Sequence, residues 1–561
     1  MVLVVERSDT PHYLEGVKPY SPEMVEKYTS EGWWQNLTYG DLLDRAAAAY
    51  PGKPAIIDSK RELTFAELKD KADRLAIAFL DLGIRKYDRV LIQLPNRHEF
   101  FIFYYALQRI GAVPVLATPR HEYREVSHFF RLTEPAAWII PLKDAFRDFL
   151  PLINQIRSEA ACLKYLIVPD DGETVPGDAL SMNSLIRDAR VKDNLDDYLR
   201  RFRPDPNDVA LILPTSGTTG LPKGVPRTHN SYLAGITVAS IETGPETILG
   251  LPTPIGHGLA QQGAAGSAIM AGATVVLIEV IRAKEIMEAI QKYRMSRIIL
   301  VPTLLEDMLN HPDLHRYDLS SLRVVGSSSS ALRPETLDKA KALFDRLGTV
   351  LEGSVYGSTE GPCARHEPGV PVSPEIFRTS IGKPICKGDH WKVINEQEEE
   401  VPPNTEGELA ARGPLVFTGY YRSEAENREV FTRDGYYKMG DLGRIDETGN
   451  IFITGRKKDV IKRGGEGITA SEVENLLHMH PNIEAAAVVG MPDARLGEIV
   501  CAFVVPKTGK TVSFDSLISF LKGIGAGKLL LPERLEIVEG LPKTPVGKVD
   551  KAALRQIVRP V

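Results

Sequence analysis

Cysteine is scarce in this chain. The four present, Cys162, Cys363, Cys386 and Cys501, lie far apart in 561 residues, with no CxxC pair and no histidine spacing suited to zinc. A disulfide framework and a structural zinc site are therefore not expected, and the thiols read as reduced and inert. Long apolar runs are also missing: nothing approaches the ~20 apolar residues of a membrane span. The opening stretch, MVLVVERSDTPHYLEG, has only the short run Val2–Val5 before its charges, unlike a signal peptide. The expected location is the cytoplasm, without a membrane partner. Positive charge is not in excess either. With 68 Lys and Arg against 74 Asp and Glu, the net charge of −6 offers no global basic field for nucleic acid. Anionic ligands must be met by local sites.

What is there is an ordinary globular composition, 43% hydrophobic and 25% charged, on a chain too long for one simple core. Strand and helix alternate. Thr64 and Glu67 form a T-x-x-E capping box, and Phe65, Leu68, Ala72, Leu75, Phe79 and Leu82 recur at steps of three and four until Gly83. Val90–Leu94 reads as a strand, about Glu99 to Ile110 as a helix stopped by Gly111, and Val113–Leu116 as another strand. The basic run Arg200, Arg201 and Arg203 reads as a solvated face. Leu322–Val325 reads as a strand running into the small residues Gly326 to Ser330, which leave backbone free for a ligand. Near the end, Thr469 and Glu472 make a second capping box, and the strands Ala485–Val489 and Ile499–Val505 begin a second α/β lobe.

One loop carries the strongest chemical signal. The strand-like run Val209–Leu213 breaks at Pro214 into Thr215, Ser216, Gly217, Thr218, Thr219 and Gly220, closed by Lys223 and Gly224. Glycines let backbone N–H groups approach an anion, hydroxyls add uncharged donors, and the lysine supplies counter-charge. A Walker loop needs Gly-Lys-Ser/Thr at its end, whereas Lys223 is followed by Gly224 and Val225, which disfavours a P-loop ATPase or kinase. Further along, Tyr356-Gly357-Ser358-Thr359-Glu360 offers a flat ring for a base, a hydroxyl, and a hard oxygen ligand for Mg²⁺. Tyr436 to Asp441 ends in a carboxylate able to accept from both ribose hydroxyls.

The 215–224 loop resembles the signature loop of the adenylate-forming enzymes, the group of acyl-CoA synthetases, aryl-acid AMP ligases, adenylation domains and firefly luciferase. Tyr356–Glu360 is similar to that family's YG-x-TE motif. Tyr436–Asp441 is similar to Y-x-T-GD, with Met439 in place of Thr. Gly455-Arg456-Lys457-Lys458-Asp459 is similar to the hinge segment, and Pro542–Lys548 to P-x-T-x-x-GK.

The resemblance implies an α/β fold: a large N-terminal domain (1–456) of two doubly wound subdomains plus a small β-barrel, and a small mobile α+β C-terminal domain (457–561) hinged near Lys458. It implies activation of a carboxylate by ATP to an acyl-adenylate, with pyrophosphate released, and capture of the acyl group by a thiol. Lys548, Glu360 and Thr359 are then the catalytic residues, with Glu360 and Thr218 on Mg²⁺. Thr215, Ser216, Gly217, Thr218, Thr219, Lys223, Tyr356, Gly357, Asp441 and Arg456 bind ATP, while Gly464 and Gly465 line the pantetheine tunnel for CoA. His257, Gly258, Ser329, Ser330 and Ala331 form the acid pocket. A homodimer is compatible with the resemblance.

Within the family, the opening segment and the QLPNRHEFF, KRGGEG and TPVGKV stretches look most like the 2,3-dihydroxybenzoate-AMP ligases. Those ligases carry His-Asn where this chain has His257-Gly258, and their Asn bonds the ortho hydroxyl of the acid. Gly258 has no side chain to do so. The reading favoured by this departure is a ring acid, aromatic or alicyclic, without the ortho hydroxyl, and CoA as acceptor. The alternative is a 2,3-dihydroxybenzoate or salicylate ligase that loads a phosphopantetheine carrier protein. A luciferase-like oxygenase and a non-catalytic nucleotide sensor stand behind both. The segment Ala526–Pro532 also departs from the family's shorter aromatic-Lys-x-Pro pattern, on the side where the acceptor docks.

Overall fold

Thr64 sets the first long helix. Its hydroxyl accepts from the backbone N–H of Glu67, and the Glu67 carboxylate accepts from the N–H of Thr64, so the helix Phe65–Asp81 starts with its free donors satisfied. Phe65, Leu68, Ala72, Leu75 and Phe79 all face inward. They pack on a second helix, His98–Ile110, in which every residue is buried; it ends at Gly111, whose φ of 67° is the left-handed turn that favours glycine. The structure, a computed structural model, describes residues 13–169, 177–190, 194–215, 221–240, 243–328, 332, 334–367, 370–544 and 548–558.

Among the described residues the strands form four sheets. One is built around the parallel strands Arg89–Gln93, Val113–Ala117, Ala137–Ile139 and Tyr165–Val168, and is extended by Val209–Pro214 and its antiparallel partner Gly224–Thr228. A second has a parallel centre in which Thr274–Leu277, Ile248–Leu251, Arg297–Leu300, Val324–Ser328 and Val350–Gly357 lie side by side. Parallel strands require crossovers that cover both faces, which is why these strands read as continuous apolar runs. A four-stranded antiparallel sheet, His390 to Arg456, follows. The last sheet pairs Ile483–Asp493 with Gly497–Pro506 and carries the hairpin Val460–Thr469. This is the α/β architecture expected, with a large N-terminal part and a smaller C-terminal one.

Two local expectations are corrected. Thr469 does cap the helix Ala470–His478 by position, but its side chain makes no capping bond. It is also the last residue of a hairpin strand paired with Val460, and its ψ of 116° lies well short of the 163° seen at Thr64, so the hydroxyl is not aimed at the helix. Ser327 and Ser328 are buried strand residues and not loop; the Ser328 hydroxyl donates to the carbonyl of Val355 at 3.0 Å. The basic run is the solvated face expected: Arg200, Arg201 and Arg203 are all exposed, and Arg203 Nη2 also lies 2.5 Å from Asp41 Oδ2 on the helix Tyr39–Ala49. Among the described residues no helix is long and apolar enough to cross a membrane. All four cysteines are free, and burial pushes the Cys363, Cys386 and Cys501 thiols up to about 12.

Candidate active site

The predicted cradle is the loop of a hairpin. Pro214 pairs with Gly224, and Thr215 and Lys223 then close the neck: the N–H of Thr215 donates to the Lys223 carbonyl at 2.9 Å, and the N–H of Lys223 donates to Thr215 Oγ1 at 3.0 Å. Ser216, Gly217, Thr218 and Thr219 lie outside the described residues, as do Ser329, Ser330 and Ala331 of the expected acid pocket. The neck nevertheless fixes where the loop leaves the sheet, at the carboxyl end of the strand Val209–Pro214, where ligands collect in open α/β folds.

Two distant motifs meet beside it. The Tyr356 hydroxyl donates to Asp441 Oδ2, and Arg456 Nε lies 2.6 Å from Asp441 Oδ1, so both carboxylate oxygens are engaged. Asp441 sits on the strand Tyr437–Ile445, paired in register with Arg456 on the next strand. Burial pushes the Asp441 carboxyl up, against the pull of Arg456, of the Tyr356 hydroxyl and of Lys548. The Tyr356 ring is held edge-on by Trp391, with ring centres 5.8 Å apart. Gly357 follows on the same strand, exposed.

Glu360 is buried and accepts from the Tyr420 hydroxyl at 2.8 Å through Oε1. That bond leaves Oε2 and further lone pairs of a hard carboxylate available, which suits Mg²⁺. Lys223 lies over the Tyr420 ring, its ammonium 4.6 Å from the ring centre. The backbone of the Thr359 loop is fixed from below by a buried arginine. Arg227 Nη1 donates to the Thr359 carbonyl at 3.1 Å, while Nη2 donates to the carbonyls of Leu415 at 2.6 Å and Ser231 at 3.1 Å.

Lys548 reaches this site from the C-terminal part. Thr544 and Lys548 hold each other: the N–H of Thr544 donates to the Lys548 carbonyl at 2.7 Å, and the N–H of Lys548 to Thr544 Oγ1 at 3.2 Å. Burial and the neighbouring Arg456 guanidinium hold its ammonium below the usual lysine value, with Asp441 and Glu360 pulling the other way. The same charge, after burial, helps hold the His257 imidazole down to about 4. His257 is therefore neutral near pH 7, and its Nδ1 accepts from the N–H of Leu259 at 3.4 Å. Lys458 lies in the short 3₁₀ turn Lys457–Asp459 between the two parts, and its carbonyl accepts from Arg555 at 3.3 Å.

Gly258 has room for a Cβ: among the described residues it would meet Leu213 Cδ1 at 3.7 Å and the Tyr232 hydroxyl at 4.0 Å, which is ordinary contact distance. Gly464 and Gly465 are not brought to the Asp441 cluster: they form the exposed two-residue tip of the hairpin Val460–Thr469, with φ of 59° and 94°. Arg227, Trp391 and Tyr420 were not foreseen from the sequence. Each sits in a strand or loop with no motif of its own and joins the site only through tertiary packing.

This arrangement has known counterparts. The AMP-binding enzyme family matches residues 43–421, and the AMP-binding enzyme C-terminal domain matches residues 472–548. The chain belongs to the AMP-binding enzyme family. Among AMP-binding enzymes it is 35% identical over 550 residues to the 2,3-dihydroxybenzoate-AMP ligase of Bacillus subtilis, covering 97% of this chain and 98% of that one. It is 34% identical over 550 residues to the salicyl-AMP ligase / salicyl-S-ArCP synthetase of Mycobacterium tuberculosis, covering 96% and 94%. The apo structure of MbtA from Mycobacterium smegmatis superposes with a TM-score of 0.71 at 32% identity, over 96% of this chain and 98% of that one.

Proposed function

We propose that the protein activates an aryl acid of the hydroxybenzoate class with ATP, forming the acyl-adenylate and pyrophosphate, and passes the acyl group to the phosphopantetheine thiol of a carrier protein. The observation that carries the first half is the convergence of Lys548 with Asp441, Tyr356 and Glu360 beside the neck of the 215–223 loop. When a carboxylate oxygen attacks the α-phosphorus and the bond to pyrophosphate breaks, negative charge gathers on an already anionic centre, so stabilisation is electrostatic. Lys548 neutralises that charge between the carboxylate and the α-phosphate. Tyr356 presents its ring to adenine, and Asp441 takes the ribose hydroxyls. Lys223 and the cradle hydroxyls hold the departing phosphates. Mg²⁺, when bound at Glu360, adds Lewis-acid charge on the phosphates. Neutral His257 stands near the lysine without competing for the acid carboxylate.

In the second half, the thiol attacks the acyl carbon and AMP leaves. We take residues 1–456 and 457–561 as the two working domains, with Lys458 as the pivot that withdraws Lys548 and turns the Gly464-Gly465 tip toward the site.

The carrier-protein reading displaces the CoA acceptor favoured by the sequence, because relatives that match almost end to end act on 2,3-dihydroxybenzoate and salicylate, and one is named for an aryl carrier protein. Gly258 supports a second reading, a ring acid without the ortho hydroxyl, since a glycine has no side chain of its own to bond one. The acceptor is tested by offering enzyme-made adenylate to CoA and to a phosphopantetheinylated aryl carrier protein in parallel. Faster acylation of the carrier supports the proposal; transfer to CoA alone overturns its second half.

A further inference from the structure

Tyr420 touches two charged groups that the adenylation reading places around the phosphates. Its hydroxyl donates to Glu360 Oε1 at 2.8 Å, and its ring lies under the Lys223 ammonium at 4.6 Å. The tyrosine is itself held. Its N–H donates to Asn427 Oδ1 at 2.7 Å, Asn427 Nδ2 donates to its carbonyl at 2.9 Å, its ring packs edge-on against Phe417, and its hydroxyl is 3.3 Å from that of Tyr437. A cation over a ring face and a carboxylate on the phenol hydrogen are both electrostatically matched to tyrosine.

We propose that Tyr420 is a positioning residue that sets the spacing between the metal-binding carboxylate and the phosphate-binding lysine. This rests on the adenylation reading, which gives Glu360 and Lys223 those tasks. With one oxygen of Glu360 tied to the phenol, the carboxylate cannot turn toward Lys223 and form a direct ion pair, which would neutralise both groups before ligand arrives. The ring takes the cation on its face and the carboxylate at its hydroxyl. It keeps a cation and an anion close together yet unpaired, so that metal and phosphate meet each one charged.

The test uses the full-length protein with Mn²⁺ as a paramagnetic substitute for Mg²⁺ and a non-hydrolysable α,β-methylene ATP analogue. Free Mn²⁺ is followed by its spin-resonance signal, and nucleotide binding is followed separately without metal. Tyr420→Phe keeps the ring under Lys223 and loses the hydroxyl. It should weaken Mn²⁺ binding in the ternary complex roughly tenfold, in line with one hydrogen bond to a charged group, while metal-free nucleotide affinity stays unchanged. Excess metal should restore the rate of adenylation. Tyr420→Leu should weaken both metal and nucleotide binding. In a Glu360→Gln background, Tyr420→Phe should have no further effect on the metal, the coupling expected of direct partners.

Equal Mn²⁺ affinity in Tyr420→Phe and the unmodified protein, or additive losses in the double variant, overturns the assignment. If Tyr420→Phe does not fold, Asn427→Ala releases the same ring by removing its backbone clamp and must weaken metal binding in the same direction; an unchanged affinity there also overturns it. Failure of the unmodified protein to bind metal–nucleotide at all would instead sink the adenylation reading beneath it.

Discussion

Asp441 and Arg456 face each other across neighbouring antiparallel strands, with Arg456 Nε 2.6 Å from Asp441 Oδ1 and the Tyr356 hydroxyl on the other carboxylate oxygen. The carboxylate proposed to take the ribose is thus aimed by Tyr356, the tyrosine proposed to stack on the base, and by Arg456 before any ligand arrives. Asp441→Ala should raise the Kd for ATP by roughly 10- to 100-fold, the range for losing hydrogen bonds to a charged group. Tyr356→Phe, which keeps the ring and loses only the aiming bond, should cost less. Equilibrium binding of a fluorescent ATP analogue checks both, and an Asp441→Ala protein that binds ATP normally would remove the carboxylate from that role.

Lys548 serves only the phosphoryl half of the proposed reaction. Lys548→Ala should lose roughly 10²-fold or more in acid-dependent ATP–pyrophosphate exchange, as for a lost transition-state charge contact. Thiol acylation from supplied acyl-AMP should be nearly unchanged. Equal losses in both half-reactions would contradict the division of labour.

The proposed pivot has its own signature. Lys458→Pro fixes φ in the turn Lys457–Asp459, so adenylate should still form and accumulate while thioester output collapses. Rapid-quench measurement of both products would expose an undiminished thioester rate, which would take the pivot away from Lys458.

Gly258 tests the acid. The backbone at 258 accepts a Cβ, which would stand 3.7 Å from Leu213 Cδ1 and 4.0 Å from the Tyr232 hydroxyl. Gly258→Asn should shift kcat/KM toward 2-hydroxylated acids by at most the ~1–3 kcal/mol left by one unmet hydrogen bond. A shift toward benzoate would mean that position 258 does not face the ring substituent.

Acid should loosen the fold through buried imidazoles. Burial holds His257 and His121 down to about 4 and His229 to about 3, against an ordinary 6.5. The unfolded chain binds protons that the folded one refuses, so the stabilising contribution is complete above about 6.5 and is lost as pH falls from there toward 4. Asp389, pushed up to about 7 by burial, works in the opposite sense: its share is largest at low pH and is lost as pH rises toward 7. His121→Gln should flatten the fall in chemical-denaturation midpoint between pH 6.5 and 4 relative to the unmodified protein; an unchanged slope would refute the assignment.

The groups proposed to meet ligand were legible in the sequence because each lies in a short contiguous motif whose chemistry is local: the Thr215–Lys223 loop, Tyr356–Glu360, Asp441, Lys548. The capping box at Thr64 and the glycine stop at Gly111 were legible for the same reason. What holds those groups was not. Tyr420 reaches Glu360 across 60 residues and Arg227 reaches Leu415 across 188, and neither pairing leaves a trace in local periodicity. Thr469 shows the converse, a correct capping pattern defeated by the strand it also belongs to.

The central claim is adenylation of an aryl acid, and its most direct test is ATP–pyrophosphate exchange by the unmodified protein across salicylate, 2,3-dihydroxybenzoate, benzoate and cyclohexanecarboxylate, with mass detection of the adenylate. The account predicts exchange that depends on an aryl acid and an aryl-AMP of the matching mass, fastest with a hydroxybenzoate. Exchange with none of these acids, or ATP turnover that yields ADP and phosphate, would contradict it.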